Sequence, residues 1–227
     1  MKKTIFLFLI LSITKTFSQD MKIDWANIAK YSEENKTLFL EPENKNRIVF
    51  MGNSITEGWK THDPDFFSNK NYINRGISGQ VSSQMLVRFR SDVIALKPKL
   101  VIILAGVNDI AQNNGPIALE DILGNIISMV ELAKQNNIKV ILSSILPAYD
   151  FKWRKGLEPA EKITKLNSMI QNYCKKNHIV YVDYFSKMVD NRKGLDEKYT
   201  LDGVHPTLAG YKIMEPLLES AISEALK

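Results

Sequence analysis

Along the 227-residue chain, short unbroken apolar runs alternate with stretches whose apolar positions recur every three or four residues. The runs at 48–51, 100–105, 139–145 and 179–182 are rich in Val, Ile and Leu and lack the in-out alternation of a sheet wetted on one face. That pattern predicts parallel strands buried on both sides. A weaker strand is expected at 72–74. Between the strands, Met85, Leu86, Phe89 and Val93 mark one helix, Ile122, Ile126, Met129, Val130 and Ala133 a second, and positions 163–173 a third. An amphipathic helix is expected around 23–40, and Pro206 suits the first turn of a terminal helix reaching about Ala225. Alternating strands and helices imply an α/β fold: a three-layer α/β/α sandwich around a central parallel sheet, with right-handed crossovers.

The first eighteen residues follow a different pattern. Lys2 and Lys3 precede the apolar run from Ile5 to Leu11, and Thr16-Phe17-Ser18 forms a small-x-small cleavage site. The run falls short of the roughly 20 residues a spanning helix needs, so 1–18 reads as a secretory signal peptide and 19–227 as the mature domain. A secreted or periplasmic protein is expected, without a stable membrane anchor. Loss of Lys2, Lys3 and Lys15 would leave 27 basic against 25 acidic residues, so the formal charge of +5 shrinks to about +2. That is no footprint for nucleic acid. The lone Cys174 cannot form an intramolecular disulfide and falls among helical apolar positions, which suggests packing. Three His without clustered Cys or acidic partners give no metal signature, and no cofactor is expected. Oligomeric state leaves no mark in the sequence.

In open parallel sheets the ligand site lies beyond the carboxyl ends of the strands. Ser54 follows the first strand, the loop with Gly79 follows the weak second strand, and Asn108 and Asp109 follow the third. All therefore point to one edge. Each has a plain structural alternative: Ser54 as a helix cap, Gly79 as a turn glycine, Asn108 as a turn residue, and Asp202 and His205 as caps of the last helix. Asp109 is assigned to structure, and His62 and His178 to surface or packing.

Four separated stretches, GNSITEG at 52–58, NRGISGQVSSQM at 74–85, LAGVNDI at 104–110 and DGVHPTLAGY at 202–211, together resemble the signature blocks of the SGNH, or GDSL-like, hydrolases. The resemblance implies a flavodoxin-like hydrolase fold, with Ser54 as nucleophile, Asp202 and His205 completing a triad, and Gly79 and Asn108 as oxyanion-hole donors. The chemistry is consistent with that assignment. A serine hydroxyl needs a base, and neutral imidazole with an ordinary pKa near about 6.5 serves. An acceptor on the far ring nitrogen must hold one tautomer, and Asp202 sits three residues from His205. The tetrahedral oxyanion needs fixed donors, for which the N–H of Ser54, the N–H of Gly79 and the Asn108 amide are candidates. One departure is Asn53, where the family usually has Asp.

The resemblance further points to secreted esterases that remove small acyl groups, often acetyl groups from carbohydrates. No loop after a strand carries the contiguous apolar sequence that a long alkyl chain would need. Trp59, Tyr149, Trp153 and Arg154 are candidate sugar contacts, each with packing as the alternative. The competing readings are a catalytically inactive carbohydrate-binding protein of the same fold and a lysophospholipase- or thioesterase-like acylhydrolase. A nucleotide-binding module is disfavoured, because GNSITEG lacks the lysine of a P-loop and the spacing of GxGxxG.

Overall fold

The computed structural model describes residues 24–40, 46–68 and 71–227. The expected signal peptide, its cleavage site and the first residue of the expected N-terminal helix lie outside them. Five parallel strands, β1 (Ile48–Gly52), β2 (Tyr72–Gly76), β3 (Leu100–Leu104), β4 (Lys139–Ser143) and β5 (Val180–Val182), form one sheet in the order β2-β1-β3-β4-β5. The helices are α1 (Ser32–Leu40), α2 (Ser54–His62), α3 (Pro64–Ser68), α4 (Ser82–Asp92), α5 (Val107–Ile110), α6 (Leu119–Gln135), α7 (Pro159–Asn177), α8 (Phe185–Met188) and α9 (Leu208–Ala225).

The strands lack alternation because both faces of the sheet are covered. Val49, Met51, Val101 and Ile103 pack with Met85 and Phe89 of α4, Ile126 and Met129 of α6, and Ile163, Leu166 and Cys174 of α7. On the other face Ile48, Phe50, Ile102 and Leu104 meet Ile55 and Trp59 of α2, Phe66 and Phe67 of α3, and Met214 and Leu218 of α9. Each such side chain contributes about 1.5–3 kcal/mol by leaving water. The sheet grows outward in two directions from β1, so the crevice between β1 and β3 is the switch point where ligands bind in such folds. The carboxyl ends of β1, β2 and β3 are level there, with Gly52 opposite both Gly76 and Leu104.

Most boundaries fall within a few residues of expectation, with β4 ending at Ser143 and α7 spanning Pro159–Asn177, and two departures change the local structure. The N-terminal segment is not one helix: Asn27 takes a left-handed conformation with φ 52°, and the Asp24 carboxylate accepts the Ala29 N–H at 2.7 Å. A short 3₁₀ turn at Ile28–Tyr31 follows, then α1, which buries none of its residues. The terminal helix starts at Leu208, because Pro206 is held in an antiparallel bridge with Thr200 and Thr207 caps the helix in extended conformation.

Candidate active site

The chain turns from β1 into α2 within one residue. Two glycines make room for that turn: a Cβ on Gly52 would lie 2.0 Å from Thr56 Oγ1, and one on Gly76 would lie 2.1 Å from the Glu57 backbone nitrogen. Asn53 caps α2, accepting the Ile55 N–H at 3.0 Å. The capping role considered for Ser54 is thus filled by its neighbour, and the position where the family usually has Asp carries an uncharged cap. The Ser54 hydroxyl is left to meet His205 Nε2 at 2.9 Å. Within the same layer, Tyr211 of α9 donates to the Ile55 carbonyl at 2.8 Å and ties α2 to the His205 side of the cleft.

His205 is held by a tight local turn. Asp202 Oδ1 accepts the backbone N–H groups of Val204 and His205, both at 2.8 Å, while Oδ2 meets His205 Nδ1 at 2.6 Å. Gly203, with φ 89°, supplies the left-handed residue this turn requires. Thr200 Oγ1 donates to the His205 carbonyl at 2.8 Å. Burial pushes the Asp202 carboxyl up, but the hydrogen bonds from His205 and Val204 outweigh it and hold the group down at about 2. An ionised carboxylate can only accept, so in neutral His205 the proton resides on Nδ1 and the Nε2 lone pair faces Ser54.

Gly79 lies in the exposed loop after β2 with φ 78° and open space where a Cβ would be. Among the described residues the backbone N–H groups of Ser54 and Gly79 donate to no protein acceptor. Asn108 is buried in α5, and its amide donates to the Gln80 carbonyl at 2.9 Å. One amide hydrogen therefore fixes the loop that carries Gly79, and the second remains for a ligand. Asp109 is structural as expected: its carboxylate accepts the N–H of Ser82 at 2.9 Å and its hydroxyl at 2.5 Å, at the start of α4. Burial raises its pKa against those bonds.

A serine, an imidazole and a carboxylate thus form one hydrogen-bonded line at the switch point. The GDSL-like lipase/acylhydrolase family model matches residues 50–213, a span holding all of these groups. The chain belongs to that family. A GDSL-like lipase from Bacteroides thetaiotaomicron VPI-5482 is 51% identical with a TM-score of 0.86, over 89% of this chain and all of that one. A structure from Bacteroides fragilis NCTC 9343 is equally identical, at 51%, with a TM-score of 0.87 over 90% of this chain and 99% of the other. Esterase TesA of Pseudomonas aeruginosa is 25% identical over 163 residues, covering 70% of this chain and 75% of that protein. A shorter match, 30% identical over 82 residues, covers about a third (34%) of the lipoprotein YqeF of Bacillus subtilis. An acetyl xylan esterase, AlAXEase, shares the fold at 18% identity and a TM-score of 0.64, over 78% of this chain and 99% of its own. This GDSL-like acylhydrolase is an ester-hydrolysing enzyme with the α/β/α architecture of its relatives.

The four candidate sugar contacts of the acylhydrolase separate. Trp59 is only 2% exposed, stacked between Phe66 at 5.1 Å and Tyr211 at 5.3 Å, so its assignment to substrate binding is corrected. Its position five residues after Ser54 turns it inward, to the aromatic core beneath α2. Trp59→Ala should cost about 3–5 kcal/mol of stability in a denaturant titration, while KM of the folded enzyme stays unchanged. Tyr149 lines a different hollow, where the Arg192 guanidinium lies 5.2 Å from its ring. Arg154 binds the carbonyls of Ala111 and Gln112 and staples two loops together. Of the four, only Trp153 stands beside His205: half exposed, it stacks on Phe151 at 5.1 Å and lies 6.4 Å from the His205 ring.

The cleft over Ser54 has a volume of about 530 Å³, and Glu57, Thr61, His62, Ser78, Leu201 and His205 are among its walls. His62, read from sequence as surface or packing, therefore belongs to the cleft wall. Among the described residues no group of His, Cys, Asp and Glu could hold a metal ion.

Sequence reasoning missed the buried supports. The fully buried Arg88 of α4 donates to the carbonyls of Gly52 at 3.0 Å and Arg75 at 2.8 Å, to Gln80 Oε1 at 2.6 Å and to Asp92 at 2.9 Å. It ties the ends of β1 and β2 to the loop that carries Gly79. The available signal was an arginine on the apolar face of α4, beside Met85 and Phe89, with an acid four residues on.

Proposed function

We propose that this acylhydrolase removes short acyl groups, foremost acetyl, from carbohydrate esters through an acyl-enzyme on Ser54, and that residues 1–18 direct its export. The observation that carries the catalytic reading is the unbroken line from Ser54 Oγ to His205 Nε2 at 2.9 Å and from His205 Nδ1 to Asp202 at 2.6 Å. In the first step Ser54 Oγ attacks the ester carbonyl carbon while its proton passes to Nε2. The resulting oxyanion is met by the N–H groups of Ser54 and Gly79 and the Asn108 amide. Collapse expels the alcohol, which takes the proton back from Nε2. Water, deprotonated by the same nitrogen, then attacks the acyl carbon, and Nε2 returns the proton to Ser54 Oγ as its bond to the acyl group breaks and the carboxylic acid leaves.

The cleft wall mixes polar groups of Glu57, Thr61, Ser78 and Thr207 with apolar surface of Leu201, Pro206 and Tyr211. The support for a short acyl group is that no loop after a strand carries the contiguous apolar run against which a long alkyl chain would gain about 0.8 kcal/mol per methylene. A sugar leaving group is supported by the half-exposed face of Trp153 beside His205. The acetyl xylan esterase of similar fold adds the same chemistry by analogy. The intact relay disfavours an inactive carbohydrate-binding protein.

A fluorophosphonate probe should label the wild type at Ser54, and an unlabelled folded protein would sink the catalytic part. Across p-nitrophenyl esters of rising chain length, kcat/KM should be highest for acetate and fall by octanoate. A preference for octanoate would transfer the enzyme to the lysophospholipase or thioesterase class. With acetylated xylan fragments, Trp153→Ala should raise KM several-fold while leaving p-nitrophenyl acetate hydrolysis nearly untouched. Equal effects on both substrates would remove the sugar contact.

A further inference from the structure

Glu57 lies one turn after Ser54 on α2, in the cleft wall. Its Oε2 accepts the backbone N–H of Ser78 at 2.7 Å and also the Ser78 hydroxyl, while Oε1 is paired with Lys30 Nζ. Ser78 directly precedes Gly79, so its backbone sets the direction of the Gly79 N–H. The far side of the same loop is pinned as well, since Asn113 donates to the Gly79 carbonyl at 3.0 Å.

The segment that delivers Lys30 grips this loop at several points. Tyr31 donates its hydroxyl to the Gly76 carbonyl, Gln80 Nε2 donates to the Ala26 carbonyl at 2.6 Å, and Gln84 Nε2 donates to the Trp25 carbonyl at 2.7 Å. These contacts account for a segment that buries little apolar surface and breaks its helix at Asn27. Its polar groups lie along the loop between β2 and α4 instead of packing into the core.

Burial acts to raise the Glu57 pKa, but the bonds from Lys30 and Ser78 outweigh it and hold the group below the usual carboxylate range. It is therefore a fixed anion at neutral pH. An anion facing substrate directly would oppose the developing oxyanion, whereas one consumed by the Ser78 N–H, the Ser78 hydroxyl and Lys30 acts mainly through the loop. We propose that Glu57 is a positioning residue for the oxyanion hole, aiming the Gly79 N–H through Ser78, and that residues 25–31 brace it from outside. This rests on the Ser54 esterase reading above.

The test is steady-state hydrolysis of p-nitrophenyl acetate by the full mature chain, together with inhibition by a methyl trifluoromethyl ketone, whose adduct carries the tetrahedral oxyanion. Glu57→Gln keeps one acceptor but loses the charge that holds Lys30 and the Ser78 hydroxyl. It should lower kcat roughly tenfold with KM within about twofold, and weaken the ketone by a similar factor, since an aimed donor acts mainly on the transition state. Lys30→Met, outside the cleft, should shift kcat and ketone affinity in the same direction by a few-fold. It decides the matter alone if Glu57→Gln does not fold. Unchanged kcat in the folded variants, or a rise in KM alone, overturns the proposal and leaves the esterase reading standing. Absence of Ser54-dependent turnover in the wild type removes both.

Discussion

Ser54→Ala should abolish ester turnover, lowering kcat by up to about 10⁶, and His205→Ala should fall to a similar floor. The double variant should be hardly worse than either, because each residue is useless without the other. Once the hydroxyl is gone, Nε2 has no proton to take. Once the imidazole is gone, the hydroxyl attacks without a base. The residual rate should reflect only binding and the oxyanion donors, a remainder of about 10³–10⁴ over water. Ser54→Ala should not destabilise the fold, since Asn53 and not Ser54 supplies the cap of α2 and the Ser54 hydroxyl bonds His205 alone. Thermal melts and circular dichroism should match the wild type. A folded Ser54→Ala enzyme that retains a tenth of its activity would show that another group is the nucleophile.

The strands and the edge they share were legible because burial on both faces leaves unbroken Val, Ile and Leu runs, a signal that is local in sequence. The Asp202 and His205 pair was legible only as an ambiguity: an acid three residues before a histidine suits a cap as well as a triad. The structure removes the cap reading, since α9 begins at Leu208 after Thr207 and the carboxylate instead closes its own turn and meets the imidazole. Trp59 misled because position along the chain after Ser54 says nothing of which side of α2 faces the cleft. Ile55 and Trp59 lie on the core side and Glu57 on the open side, a distinction that depends on how α2 packs over β1 and β2. Arg88, Gln80 and the brace at 25–31 stayed hidden for a related reason. Apart from Asp92, four residues after Arg88, their partners lie 8 to 59 residues away, and hydrogen bonds between distant polar groups leave no periodicity to read.

Asp202→Asn should lower kcat by about 10⁴ with little change in structure. The amide oxygen can still accept the N–H groups of Val204 and His205, so the turn survives. At the Oδ2 position, however, an NH₂ would now face Nδ1 and donate to it. The imidazole must then carry its proton on Nε2, which presents a donor to Ser54 where catalysis needs an acceptor. The same carboxylate settles the pH behaviour. Its folded pKa, about 2, lies below the unfolded value near about 3.9, so the stability it contributes is fully present above pH 4 and lost only as pH falls toward 2. Between about pH 5 and 8 Asp202 is ionised throughout and the fold does not depend on its titration. A fall of kcat/KM on acidification within that window is therefore not Asp202 losing its charge, and it is the outcome expected of a histidine base, whose protonation removes the Nε2 acceptor. A wild-type profile flat across that window, measured with p-nitrophenyl acetate, would remove His205 from the role of base, and an Asp202→Asn enzyme at wild-type rate would remove the carboxylate from the relay.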